Sequence, residues 1–192
     1  AKLYAHHITV NYREAFGLHA CCGILFNHES PLRPSQFITR KVTLALARMA
    51  LGEDHILEIG NLEAARDWGF AGDYVEGMWR MVQQDVPDDY LLATGKKHTV
   101  RQLIETAAAA VDIAIDWQGE GQATEGRDHQ TGRLMVRVNP DFYRPADLNL
   151  TVGNPAKAAA RLGWQAKLGF EALIRMMIQA DIKRLQTGQM IL

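Results

Sequence analysis

The 192-residue sequence contains few features that would tie it to a membrane or to an oxidising compartment. No apolar run reaches the ~20 residues that a membrane-spanning helix needs, and no charged and then apolar secretory signal opens the chain. The two cysteines, Cys21 and Cys22, are adjacent, so on a strand their side chains face opposite ways. These absences argue against a disulfide framework and predict a cytoplasmic protein.

Charge of one sign is also missing, because 21 basic side chains face 22 acidic ones and the formal net charge is -1. Nothing global therefore indicates a nucleic-acid or membrane partner. No Gly-x-Gly-x-x-Gly phosphate loop occurs, and the glycines of segment 118–133 have no predicted helix after them. The seven histidines show no metal-ligand spacing, so we predict no metal site.

What the sequence does contain is an alternation of helical and strand-like segments, which predicts an α/β protein with a mostly parallel sheet. Gly17 and Gly52 are expected to end helices, and Thr99 is a natural N-cap. Helices are predicted over 3–17, 36–51, 73–84, 100–112, 155–162 and 170–185. Strands are predicted over 19–26, 56–59, 90–94, 113–117 and 134–138.

Two finer expectations follow from the apolar pattern. The helix over 73–84 is expected to turn Val75, Met78, Trp79 and Val82 towards the core. Segments 27–35 and 118–133 are expected to be loops, because prolines interrupt the first and glycines with polar residues fill the second.

One polar stretch, Asn27-His28-Glu29-Ser30-Pro31-Leu32-Arg33, directly follows the apolar strand-like run that ends at Phe26. Ligands of open α/β sheets bind outside the carboxyl ends of the strands, so this stretch is a candidate site. His28 and Glu29 are either an acid–base pair or a hydrogen-bonded histidine beside a carboxylate that supports the loop.

Four basic side chains lie in or beside loops that also carry an aromatic residue, a proline or a carboxylate. They are Arg33, Lys41, Arg66 and Arg144. Guanidinium forks and a lysine point charge match the diphosphate of a sugar nucleotide. The alternative is that most of them are solvated surface charges.

Five segments carry a family resemblance, at 1–14, 23–31, 39–42, 66–76 and 142–146. They include Asn-His-Glu-Ser-Pro, Thr-Arg-Lys-Val, Arg-Asp-Trp-Gly and Phe-Tyr-Arg-Pro-Ala. In these segments the chain resembles the GDP-mannose 4,6-dehydratase branch of the extended short-chain dehydrogenase/reductase family. The likeness runs nearly end to end and is weakest in segment 118–133.

The resemblance implies that the chain is the C-terminal part of an NAD(P)-binding Rossmann-like fold together with a small α/β substrate-binding domain. Residues 1–30 would end the dinucleotide-binding domain. Residues 31–192 would mainly bind the GDP-sugar, with segments that return to the Rossmann sheet. The family's catalytic tyrosine, threonine, glutamate and Gly-rich loop would then precede Ala1.

The implied activity is that of a lyase that converts GDP-mannose to GDP-4-dehydro-6-deoxy-D-mannose. In the family, NADP oxidises C4 of the hexose, water leaves across C5–C6, and the hydride returns to C6. This chain would supply the substrate-binding half and would be inactive alone. GDP-mannose and a second copy of the chain, in a homodimer or homotetramer, are the implied partners, and neither nucleic acid nor membrane is expected.

Carried over residue by residue, the resemblance gives roles to named side chains. Lys2 would be catalytic, because it would hold the nicotinamide ribose and lower the pKa of the missing tyrosine. The implied cofactor-binding residues are Lys2, His28 and Arg33. The implied substrate-binding residues are Asn27, Ile38, Lys41, Arg66, Arg144 and Asp147.

Two positions depart from the family pattern. Pro34 replaces the usual glycine after Arg33, which removes a backbone donor, and Asp147 replaces the usual glutamate. Two other functions stay open at this point. The chain could belong to a GDP-sugar reductase or epimerase of the same superfamily, or it could be a nucleotide-binding fragment without chemistry of its own.

Overall fold

The computed structural model describes residues 1–143 and 152–188, which form two compact units. Unit 1 comprises Ala1–His28, Asp67–Lys96 and Val152–Gly169. Unit 2 comprises the described residues of Glu29–Arg66, Lys97–Thr151 and Phe170–Leu192. In the described part of the chain, no helix combines the length and the apolar character needed to cross a bilayer.

Helices and strands alternate along the chain, which confirms the predicted α/β class. The helices are α1 (Lys2–Phe16), α2 (Ile38–Ala50), α3 (Ala71–Val82), α4 (Val100–Ala109), α5 (Ala156–Leu162) and α6 (Phe170–Thr187). The strands are β1 (Cys22–Leu25), β2 (Asn27–Glu29), β3 (Leu57–Ile59), β4 (Ala65–Arg66), β5 (Trp68–Phe70), β6 (Asp89–Leu92), β7 (His98–Thr99), β8 (Ile115–Gln118), β9 (Glu125–Asp128) and β10 (Leu134–Val138). Short 3₁₀ turns cover Gly121–Ala123 and Pro140–Phe142.

The predicted helix ends are confirmed where the cap chemistry is strong. Gly17 follows α1 in the left-handed conformation, with φ 65 and ψ 23, which a residue without a Cβ adopts without strain. Thr99 caps α4 in a capping box, because its side chain accepts from the Gln102 amide while the Gln102 side chain accepts from the Thr99 amide.

Unit 1 is built on the parallel pair β1 and β6, in which Cys22 lies opposite Asp89 and Leu25 opposite Leu92. Strands β2 and β5 pair separately. The core of this unit is an aromatic and aliphatic cluster of Tyr74, Met81, Tyr90, Leu92, Ala158, Leu162 and Trp164. Trp164 is almost fully buried in this cluster, and its indole Nε1 donates to the Asp73 carbonyl at 2.7 Å.

Unit 2 contains a four-stranded sheet in the order β3-β10-β9-β8 and the antiparallel pair β4 and β7. Strand β10 runs parallel to β3 and antiparallel to β9, and β9 runs antiparallel to β8. Helices α2, α4 and α6 pack on one another. Their fully buried side chains form much of the core and include Val42, Leu46, Leu103, Ile104, Leu173, Ile174 and Ile178.

Three loop and sheet expectations are wrong. The sheet of unit 2 is mixed rather than mostly parallel, because β8 and β9 both pair antiparallel. Segment 118–133 supplies β9, and segment 27–35 begins with β2. Gly126 shows why the Gly-rich composition of segment 118–133 did not indicate a strand. A Cβ there would meet Ile115 and Trp117 at 2.9 Å, so the glycine reflects close packing rather than a turn.

The expected inward face of α3 is wrong as well. Val75 is 60% exposed and Trp79 is 61% exposed, and Met78 and Val82 also lie on the surface of the described chain. The buried positions are Asp73, Tyr74, Gly77 and Met81. Gly77 decides this orientation, because a Cβ there would come within 2.6 Å of the Leu92 side chain. The helix therefore approaches β6 through its glycine, and its larger apolar residues face away.

Candidate functional site

The end of β1 leads into β2, which carries Asn27 and His28 in unit 1. The Phe26 amide between the strands donates to the Leu92 carbonyl at 3.0 Å. His28 Nδ1 lies 2.8 Å from the Phe26 carbonyl oxygen, so Nδ1 carries the proton of the neutral ring and Nε2 is the acceptor. The imidazole stacks on Tyr74, with ring centroids 5.0 Å apart. Asn27 is exposed on the same strand.

Tyr74 provides a fixed aromatic surface under His28. Its ring is fully buried, and burial raises the pKa of its hydroxyl, with Asp67 and Asp73 adding to the shift. The tyrosine therefore stays neutral across the physiological range. His28 is the hydrogen-bonded histidine of the two alternatives drawn from the sequence, because its partners are a carbonyl and an aromatic ring.

Asp67 organises the end of β6 in unit 1. Its carboxylate is 1% exposed. Oδ1 accepts from the Thr94 amide at 2.9 Å and from the Thr94 hydroxyl at 2.7 Å. Oδ2 accepts from the Gly95 amide at 2.9 Å and the Gly153 amide at 3.4 Å. The sequence gives no signal for this role, because the amides that Asp67 binds lie 27 to 86 positions further along the chain.

Glu29, in unit 2, takes different partners from those of its neighbour His28. Its side chain is 2% exposed, and it accepts a hydrogen bond from the Thr39 hydroxyl at 2.6 Å. It also forms an ion pair with Arg33, with Oε2 3.2 Å from Nε. Glu29 therefore supports the loop that carries Arg33.

Arg33 is held from two sides within unit 2. Besides its ion pair with Glu29, its guanidinium carbon lies 3.5 Å from the centroid of the Phe37 ring. The position after it is Pro34, whose carbonyl accepts from the Phe37 amide at 3.2 Å. This turn places Phe37 beneath the guanidinium, so the loop has a defined shape around Pro34.

Lys41 lies on α2 close to the carboxyl ends of the parallel strands β3 and β10. Its Nζ atom is 4.5 Å from the centroid of the Phe142 ring. Burial lowers the pKa of Lys41, and the charge of Glu58 partly opposes that shift. A half-buried ammonium next to an aromatic ring gains strongly from an incoming anion, because charges attract each other more strongly at a lower local dielectric constant.

Glu58 stays ionised near Lys41 because other groups hold its charge. Arg137 donates to Oε1, with its Nε at 2.8 Å, and Asn139 donates to Oε2 at 3.1 Å. Hydrogen bonds from these two residues lower the pKa of Glu58. The backbone amide of Asn139 donates to the Ile59 carbonyl at 2.7 Å, and this bond joins the ends of β10 and β3.

The remaining predicted site residues are spread over the chain. Ile38 is the half-buried first residue of α2, and Lys2 is exposed at the start of α1 in unit 1. Arg66 lies on β4, where its Nη1 donates to the Ala65 carbonyl at 2.7 Å. Arg144 and Asp147 lie outside the described residues.

A further polar cluster in unit 1 brings His6, Cys22 and Asp89 together, with one possible ligand atom from each lying within 4.8 Å of the others. Arg13 already forms an ion pair with Asp89 at 2.8 Å, and this contact lowers the pKa of the carboxyl. Burial raises the pKa of the Cys22 thiol. A neutral thiol and a carboxylate already bound to a guanidinium favour a structural hydrogen-bonded cluster over a cation site.

Solved structures with a similar fold identify the architecture of the chain. The fold is similar to that in the structure of RMD from Pseudomonas aeruginosa complexed with NADPH, with a TM-score of 0.75 and 19% identity over 95% of this chain and 55% of that chain. It is also similar to dTDP-glucose 4,6-dehydratase from Bacillus anthracis in complex with NAD, with a TM-score of 0.72 and 15% identity over 95% of this chain and 50% of that one. The chain therefore has part of a Rossmann-like α/β fold.

The family follows from sequence comparison. A family model described as GDP-mannose 4,6 dehydratase matches residues 1–177. GDP-mannose 4,6 dehydratase of Dictyostelium discoideum is 48% identical over 98% of this chain and 53% of its own length. The Homo sapiens protein of that name is 43% identical over 98% of this chain and 50% of its own length. The chain belongs to the GDP-mannose 4,6-dehydratase family, as the resemblance predicted, and it spans about half the length of these relatives.

Proposed function

We propose that this chain is the GDP-mannose-binding part of a GDP-mannose 4,6-dehydratase. The observation that carries the proposal is the half-buried ammonium of Lys41, which lies beside Phe142 near the ends of two parallel strands. Such a group binds a diphosphate more strongly than a solvated lysine does, because less water must be displaced and the local dielectric constant is lower. The family match favours this activity over a GDP-sugar reductase or epimerase.

The substrate-binding roles extend to the residues identified by the resemblance. Lys41 and Arg66 would meet the diphosphate, together with Arg144. Asn27 and Ile38 would contact other parts of the sugar nucleotide, and Asp147 a hydroxyl group. In this proposal, residues 1–30 end the dinucleotide-binding domain, and residues 31–192 mainly bind the GDP-sugar.

The cofactor in this proposal is NADP, which would supply the group that accepts and returns a hydride. The donor set fits a phosphorylated dinucleotide, because Lys2 is an exposed ammonium and Arg33 is a guanidinium already held in place by Glu29 and Phe37. The oriented imidazole of His28 would complete the set. A cytoplasmic location and a homodimer or homotetramer belong to the same proposal.

Calorimetric titration of the chain with GDP-mannose, GDP and UDP tests the substrate assignment. We expect GDP-mannose and GDP to bind. UDP should bind at least about tenfold more weakly, a difference of about 1.4 kcal/mol in binding free energy. The Lys41→Ala and Arg66→Ala double variant should lose about 150-fold in affinity or more, if each charge-assisted contact contributes at least ~1.5 kcal/mol.

Lys97→Ala is the matched control, because Lys97 is exposed and lies in the same unit. It should bind GDP as the unaltered chain does. Unchanged GDP affinity in the double variant would show that Lys41 and Arg66 are not part of the pocket. We also expect no dehydration of GDP-mannose by this chain alone, so measurable turnover would refute the proposed division of the catalytic residues.

A further inference from the structure

A buried ion pair joins α2 to α6 in unit 2. Arg40 and Asp181 both have fully buried side chains, and Arg40 Nε lies 2.7 Å from Asp181 Oδ1. The Thr43 hydroxyl donates to the other carboxylate oxygen, Oδ2, at 2.7 Å. The carboxylate is therefore fixed by α2 at two points, one turn apart.

The same guanidinium also binds the backbone of the loop between β2 and α2. Arg40 Nη1 donates to the Pro31 carbonyl at 2.8 Å and to the Arg33 carbonyl at 2.9 Å. Within the loop, the Arg33 amide donates to the Ser30 carbonyl at 3.0 Å and the Leu32 amide to the Ser30 hydroxyl at 3.1 Å. Arg40 thus connects a short irregular loop to the helical core.

Stability alone does not account for such a pair. Removing two charges from water is expensive, and well-packed apolar residues in place of a buried ion pair are often equally stable or more so. What an apolar pair cannot provide is directional donors for two specific carbonyl oxygens. The ion pair therefore fixes the position of the loop backbone at Pro31 and Arg33.

We propose that Arg40, oriented by Asp181, is a positioning residue that holds the loop backbone so that the Arg33 guanidinium is already in place for an anionic phosphate of the cofactor. Arg33 is then constrained at both ends, its backbone by Arg40 and its side chain by Glu29. A preorganised side chain loses less rotamer entropy when it binds a ligand. The affinity of Arg33 for the cofactor phosphate should therefore depend on Arg40. This inference rests on the proposed role of Arg33 in cofactor binding.

Arg40→Lys is the sharpest variant, because it keeps the positive charge and removes the planar fork. Hydrogen exchange should show the amides of Leu32 and Arg33 exchanging about tenfold faster, while the β6 amides of unit 1 stay unchanged. Thr43→Val removes the hydroxyl that contacts Asp181 Oδ2 at 2.7 Å and the Arg40 carbonyl at 3.3 Å, and it should give a smaller increase at the same amides. Arg48→Lys is the control, because Arg48 lies on the same helix in a looser 3.8 Å pair with Glu53 and should change nothing.

The binding arm uses NADP at matched concentrations of each variant. We expect Arg40→Lys to weaken NADP binding about tenfold and Arg48→Lys to leave it unaltered. Unaltered exchange at Leu32 and Arg33 in Arg40→Lys would overturn the inference, as would faster exchange across all of unit 2 in both Arg40→Lys and Thr43→Val. If the unaltered chain fails to bind NADP while the loop amides respond as expected, the role of Arg33 in cofactor binding fails and the positioning of its loop stands.

Discussion

The Nζ atom of Lys41 lies 4.5 Å from the centre of the Phe142 ring. The contact joins a helix to the turn that follows β10, and both partners belong to unit 2. Burial lowers the pKa of this lysine, while the ring face offers its charge a weak partner. The pair thus keeps a cation where two parallel strands end, and it makes that cation sensitive to an arriving anion.

Binding of GDP should therefore take up protons at alkaline pH. In the free chain, the lowered pKa of Lys41 leaves part of the population neutral at alkaline pH below the ordinary lysine value of 10.5. A bound diphosphate favours the charged form and raises that pKa, so protons move from solvent to protein. Calorimetry in two buffers of different ionisation enthalpy measures this uptake. Lys41→Arg should abolish it, because a guanidinium stays protonated, and equal uptake in that variant would contradict the assignment.

Gly60→Ala should destabilise unit 2 and disturb the surroundings of Lys41. A Cβ at this position would clash with the Phe142 carbonyl oxygen, and backbone cannot move aside as a flexible side chain can. We expect a loss of about 1–3 kcal/mol in urea unfolding, the usual cost of forced overpacking. Gly23→Ala is the control, since the nearest atoms to a Cβ there are side-chain carbons at 3.4 Å. Equal stability of the two variants would show that the turn can relax.

Asp67→Asn should lower the stability of unit 1 by about 2–4 kcal/mol. An amide keeps one acceptor oxygen, but its NH₂ group would face the Gly95 and Gly153 amides, which are themselves donors. Urea unfolding followed by tryptophan fluorescence measures the loss. Asp54→Asn serves as the comparison because Asp54 is exposed, and it should change stability by less than about 0.5 kcal/mol. A small effect at Asp67 would mean that water replaces the lost acceptor.

Asp89 should make unit 1 sensitive to acid. The Arg13 contact holds the pKa of Asp89 below its ordinary value of 3.8, so its contribution is fully present above that value. That contribution is lost as the pH falls through the lower folded-state pKa. Asp89→Asn should therefore cost about 1 kcal/mol at neutral pH and progressively less below about pH 4. Urea midpoints across this range test the prediction, and a difference that does not shrink in acid would refute it.

The sequence determined the local features by itself, because local chemistry specifies them. Left-handed Gly17 ends α1, the Thr99 box begins α4, and β10 covers the 134–138 segment that its apolar run predicted. The α/β class followed from the alternation of such segments. Family membership also followed from the sequence, because its motifs are runs of contiguous residues that can be recognised without knowing the fold.

The tertiary structure decided which faces and which polar partners matter. Periodicity allowed α3 to bury Val75 and Trp79, but the close approach at Gly77 turned the other face inward. Arg40 lies between Thr39 and Lys41 on α2, and its sequence neighbours do not indicate that it is fully buried against Asp181. Asp181 forms the buried ion pair with Arg40. It also accepts a hydrogen bond from Thr43, which is 138 positions away in the sequence. Such contacts depend on long-range packing. The sequence therefore predicts the loop that carries Arg33, but only the fold shows that Arg40 and Asp181 hold it.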